Sequence, residues 1–133
     1  MFQLCSFLIK VNFSNFNADR IRNFDSMFSG CDSLKSLNLS NFNTESVTDM
    51  KYMFFNCNNL HYLNLKNFKQ NENLDYADIF NGITNNIIVC INQKKAPDLY
   101  GLIKNLNNLH LFQVLLNHMS ISHYHKNNNF LSI

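Results

Sequence analysis

Apolar positions along the chain recur at one fixed spacing, and that spacing decides how the rest is read. Met-Phe occurs at Met1-Phe2, Met27-Phe28 and Met53-Phe54, and Ile79-Phe80 follows. The same step of 26 residues carries Leu8 to Leu34 and Leu60, and Val11 to Leu37, Leu63 and Val89. It also carries Phe13 to Leu39, Leu65 and Ile91, and Phe16 to Phe42 and Phe68. So many positions agreeing at one offset define an internal repeat. Within a unit, Leu34-x-x-Leu37-x-Leu39 ends in period-two alternation, which predicts a short half-buried strand. Val47, Met50, Met53 and Phe54 are spaced like the stripe of a short helix, with Thr44 or Thr48 and nearby acids as start signals. One such unit cannot bury its apolar face alone. Stacked units can, which predicts an α/β solenoid with a parallel strand ladder. The third unit is degraded: Leu74 comes one residue late against Val47, while Tyr76 and Ile79-Phe80 keep the register.

Residues Leu37 to Leu60 read L-N-L-S-N-F-N-T-E-S-V-T-D-M-K-Y-M-F-F-N-C-N-N-L. This resembles the repeat of BspA-like leucine-rich-repeat surface proteins, which recurs in mycoplasma lipoprotein-type proteins and protist surface antigens. The resemblance covers residues 1–92 and is strongest from Val11 to Leu65. It implies a leucine-rich-repeat-like solenoid that recognises a protein partner, a host or matrix protein in the adhesive case, at the cell surface or after secretion. It brings no catalytic residue and no cofactor. An intracellular, cytoplasmic scaffold is the alternative, to be separated by any export signal upstream. Met1 aligns with Met27 and Met53, so the chain is expected to start within a repeat and to be a fragment of a longer array. Its first residues have an apolar run but neither a basic leading region nor a small-residue cleavage site.

Composition sharpens this picture. The 133 residues include 25 Asn, while only 15% are charged. Asn12, Asn38 and Asn64 share one template position, and Asn15, Asn41 and Asn67 another, so amides form the polar half of the repeat. The three Gly form neither G-x-G-x-x-G nor a P-loop. A net charge of +2 argues for neither nucleic acid nor a membrane surface. No nucleophile motif is present, so an enzyme is not expected. The exposed ladder face is the candidate binding surface: Asn12, Ser14, Ser36, Asn38, Ser40, Tyr62, Asn64 and Lys66, with Lys10 alongside. Asn12-Phe-Ser14 and Asn38-Leu-Ser40 are also glycosylation sequons, and glycans there would obstruct that face.

Cys5, Cys31 and Cys57 repeat in register. Metal ligation or disulfides between units is one reading, but a buried ladder of small apolar side chains is what repetition produces, and the 26-residue spacing has no zinc-knuckle character. Cys90 takes the place of the asparagine column, which predicts an exposed thiol. His110, His118, His123 and His125 crowd the end of the chain without a carboxylate or Cys to complete a metal site. His61 is expected to be exposed. From residue 93 the pattern lapses. Pro97 suits a first helical turn, which predicts a helical cap over 93–118, or a helix that binds a partner or a membrane surface, and a disordered tail over 119–133. The apolar stretch Leu106 to Leu116 is far short of a membrane span.

Overall fold

In the computed structural model the described residues are 1–83, 86–107 and 112–115. Four strands, β1 (Ser36–Asn38), β2 (Tyr62–Leu65), β3 (Ile87–Ile91) and β4 (Phe112–Leu115), form one sheet in the order β1-β2-β3-β4. One helix, α1 (Pro97–Asn107), lies between β3 and β4 in the chain. All neighbours run parallel, with Ser36 against Tyr62, Leu37 against Leu63 and Asn38 against Asn64, then Leu63 against Val89 and Leu65 against Ile91. The register therefore equals the sequence period. Alternation does the sorting: Leu37, Leu63, Val89, Leu65 and Ile91 are buried, while Ser36, Asn38, Tyr62, Asn64, Ile88 and Cys90 lie on the other face. In the first unit Val11 and Phe13 form no strand, although Phe13 is buried.

Parallel strands need a crossover, and the expected short helix is not what supplies it. Residues 49–57 run as successive turns, as do 24–31 and 75–83. The N–H groups of Phe24, Ser26, Phe28 and Gly30 donate to the carbonyls of Asp49, Lys51, Met53 and Phe55 in the next unit, at 2.7–3.0 Å. Met50, Tyr52, Phe54 and Asn56 donate in the same way to Asp75, Ala77, Ile79 and Asn81. The alternate donors turn back within the unit, Met27 to Phe24, Ser29 to Ser26 and Cys31 to Phe28. The remaining N–H groups, of Asp25, Lys51 and Ala77, donate to the side chains of Asn23, Asp49 and Asp75. Nearly every donor is thus accounted for, half of them between units. Beyond its first turn an α-helix would spend its N–H groups on itself and leave none for the neighbour.

Such a ribbon needs positive φ at the third residue of many turns. Ser26, Tyr52 and Asp78 (φ 54, 53 and 52) form one column of left-handed residues. Leu4, Gly30, Asn56 and Gly82 (φ 59, 71, 54 and 82) form a second. Between ribbon and sheet lies one continuous core. Phe2, Phe28, Phe54 and Phe80 stack in a column at 5.6, 6.0 and 5.7 Å with nearly parallel rings. Amides tie the polar loops together: the Asn41 side chain donates to the Phe13 carbonyl, Asn67 to Ser40 and Asn71 to Val47. Thr44 is fully buried; its hydroxyl donates to the Lys69 carbonyl and accepts from the Lys69 N–H, each at 2.7 Å.

The segment after residue 92 differs from expectation in its second half. Helix α1 starts at Pro97 as the proline predicts, buries Leu99 and Ile103, and follows buried Ala96. Its first turn is capped by the preceding unit, because Gln70 Oε1 accepts from the N–H groups of Asp98 and Leu99. The expected helical cap over 93–118 then gives way to β4, which pairs with β3 as Ile87 with Phe112 and Val89 with Val114. That offset is one residue shorter than the 26 of the earlier units. The apolar–polar alternation of Phe112-Gln113-Val114 suits a strand, and α1 provides the crossover that the turn ribbon provides elsewhere. The expected disordered tail over 119–133, and His110, His118, His123 and His125, lie outside the described residues.

Candidate recognition surface

The outward face of the sheet is built by strand alternation and held by the asparagines. Asn38 and Asn64 sit side by side in register, as do Ser36 and Tyr62, and adjacent strands stand about 4.8 Å apart. β1 and β2 end in the same device, which the first unit repeats without a strand. The Asn38 Oδ1 accepts from the Ser40 N–H at 3.0 Å, Asn64 Oδ1 from Lys66 N–H at 3.1 Å, and Asn12 Oδ1 from Ser14 N–H at 2.8 Å. These are Asx turns, which offer the backbone an exit from the strand. The carbonyl end of each amide is therefore structural, and the Nδ2 end of Asn38 has no acceptor among the described residues.

Asn12, Ser14, Asn38 and Ser40 come together around one concavity of about 220 Å³, with Val11, Phe13 and Asn41 completing its wall. Ser36, Tyr62, Asn64 and Lys66 do not line it; they continue the face along the sheet. Asn12, Ser14, Ser36, Asn38 and Lys66 are exposed, while Ser40, Tyr62 and Asn64 are half-buried. Sequence reasoning passed over Asn41 as a wall residue, although its place in the Asn15, Asn41, Asn67 column was the available signal. It also passed over Ile88, which joins the Ser36–Tyr62 column and gives the face an apolar element.

The four cysteines are free thiols. Cys31 and Cys57 are fully buried, and each donates its Sγ proton to a carbonyl of the previous unit, Phe2 and Phe28, at 3.1 Å. Burial pushes the Cys57 thiol up to about 12 and raises Cys31 as well. Cys5 is exposed. Cys90 is only half-buried rather than open: its Sγ lies 3.6 Å from the Tyr62 hydroxyl, and desolvation raises its pKa. The neighbouring strand brought that ring over it, which no single-strand reading foresees. His61 is exposed, and its ring contacts the Asn59 carbonyl. Among the described residues no group of three or more His, Cys, Asp or Glu could hold a metal, and no helix is long and apolar enough to cross a membrane.

Taken together, these features define a protein whose parallel ladder runs in step with its sequence repeat and presents an amide- and hydroxyl-rich face. The chain belongs to the family described as Mycoplasma protein of unknown function, DUF285, whose model matches residues 1–94. No curated protein and no solved structure matches it.

Proposed function

We propose that this chain is a non-catalytic recognition module, a segment of a leucine-rich-repeat-like solenoid that binds a protein partner at the cell surface or after secretion. The observation that carries the reading is the match between strand register and repeat period, which lines up Ser36 with Tyr62 and Asn38 with Asn64 on one face. A face of this kind offers side chains at regular intervals to an extended protein surface. Its neutral amides and hydroxyls favour many modest hydrogen bonds over charge steering. Tyr62 and Ile88 supply the apolar contact that such interfaces concentrate. The family match to a Mycoplasma-type protein accords with this reading, and the surface location belongs to the proposal.

The test exploits the divided role of the asparagines. Asn38→Asp with Asn64→Asp keeps the Oδ acceptor that each Asx turn needs and removes the Nδ2 donor. Soluble host and matrix proteins are passed over the immobilised chain, and binding is read by surface plasmon resonance. The double variant is expected to retain its circular dichroism spectrum and to lose affinity by roughly 1 kcal/mol per hydrogen bond removed, about thirtyfold for the two. Saturable binding that the double variant and Tyr62→Ala leave unchanged would place recognition elsewhere.

A further inference from the structure

At the other end of the ladder the turn ribbon stops short of its partner. In each earlier unit two N–H groups at the start of the ribbon, Phe24 and Ser26, then Met50 and Tyr52, donate to carbonyls of the following unit. The equivalent donors are Tyr76 and Asp78. Neither finds an acceptor among the described residues, because the chain continues as α1, whose carbonyls are spent within the helix. Between them lies an open groove of about 460 Å³, walled by Leu74, Tyr76, Ala77 and Leu102 and rimmed by Glu72, Asp75 and Asp78. Leu102 is a half-buried residue of the helix that anchors itself through Leu99 and Ile103. Lys51 is the cation that reaches this rim, 3.5 Å from Asp75 and 3.8 Å from Asp49.

We propose that this groove takes an extended peptide segment bearing lysine or arginine, which adds to the open edge of the ribbon. The ribbon itself specifies the backbone of the occupant. Two carbonyls spaced two residues apart meet the N–H groups of Tyr76 and Asp78, as the carbonyls of Asp75 and Ala77 meet those of Met50 and Tyr52. The chain direction is parallel, the sense of the Asp49–Asp75 bridge. Edge addition of this kind draws its affinity from the main chain and its selectivity from the side chains. Here Leu74 and Leu102 offer apolar contact to one set of alternate side chains. Glu72, Asp75 and Asp78, offset among the described residues by Lys51, leave the rim acidic and select cationic side chains in the other set. This surface is separate from the exposed strand face, and it stands or falls independently of it.

The probe is a fluorescein-labelled peptide alternating lysine and valine, with a glutamate–valine counterpart as control. Anisotropy is expected to saturate with the basic peptide only. In a 15N-resolved amide spectrum the Tyr76 and Asp78 signals are expected to shift and their hydrogen exchange to slow. Glu72 is exposed, so Glu72→Lys leaves the fold intact, as circular dichroism would verify, and is expected to weaken binding at least fivefold; Leu102→Lys is expected to do the same. Asn38→Asp with Asn64→Asp is expected to leave the affinity unchanged. Equal binding of the two peptides, or amide shifts confined to Ser36, Asn38, Tyr62 and Asn64, would overturn the proposal, as would the absence of saturable binding.

Discussion

At the scale of single residues, the abundance of asparagine has two physical causes. Its carbonyl closes Asx turns at Asn12, Asn23, Asn38 and Asn64, and its Nδ2 bridges loops of adjacent units at Asn41, Asn67 and Asn71. The template positions were legible in the sequence, but the split between acceptor and donor duties was not, because it depends on what the next unit places opposite. The thiols repeat the lesson. Periodicity places Cys5, Cys31 and Cys57 inside, which holds for the two stacked thiols and fails for the exposed Cys5, whereas Cys90 needs knowledge of Tyr62 on the neighbouring strand. Burial gives the thiols a measurable consequence. Cys57 titrates at about 12 when folded, against an ordinary 9.0. Below the ordinary value both native and unfolded chains hold the proton, so stability is unaffected. Above it the unfolded chain releases a proton that the native chain retains, and stability falls as pH rises towards 12. The slope is about 1.4 kcal/mol per pH unit for each such thiol. Urea midpoints are therefore expected to hold steady from about pH 6 to 8 and to drop by about pH 10, with a shallower drop in Cys57→Ala. A midpoint that rises over that alkaline interval would contradict the buried ladder.

At the scale of elements, strands and crossovers differ in how plainly they are written. Leu37-x-Leu39 and Leu63-x-Leu65 announce strands because period two has few competitors. Val47, Met50, Met53 and Phe54 are spaced to suit a helix, yet they sit equally well on successive turns that point the same side chains inward. What separates the two is positive φ, and the sequence hides it behind Ser26, Tyr52, Asn56 and Asp78. Gly30 and Gly82, two of the three glycines, were the visible trace, one unit on either side of Asn56. At Gly82 the demand is strict: φ is +82, and an added Cβ would fall 1.9 Å from Asn56 Oδ1. Gly82→Ala is expected to cost about 1–2 kcal/mol for the left-handed backbone alone, and more for the contact. Asn56→Gly removes that obstructing oxygen and relaxes its own left-handed position. The double variant should thus recover part of the loss, a coupling that thermal unfolding of the two single and one double variants would measure. Strict additivity would show that the two residues do not meet.

At the scale of the whole molecule, the regular contacts among the described residues run between a unit and the next, through three kinds of ladder at once. Strand pairing, ribbon hydrogen bonds and the phenylalanine column all step by one repeat. A chain built this way should tolerate loss of a whole unit and reject loss of anything else. Deleting Lys35–Leu60 joins Leu34 to His61, so each remaining residue keeps its place in the template, and β2 inherits the position of β1. Deleting Lys35–Asn59 removes one residue fewer. It joins Leu34 to Leu60 and displaces every later residue by one, which turns Leu63 and Leu65 towards solvent and Tyr62 and Asn64 towards the core. Apolar burial is worth about 1.5–3 kcal/mol for each such side chain, so the shifted register forfeits more than a domain of this size has in reserve. The first deletion is expected to fold cooperatively with a lower urea midpoint and a smaller m-value, in proportion to the surface removed. The second is expected to give no cooperative transition and to bind a hydrophobic dye. Equal behaviour of the two chains would mean that the common period of sequence and sheet does not govern the fold.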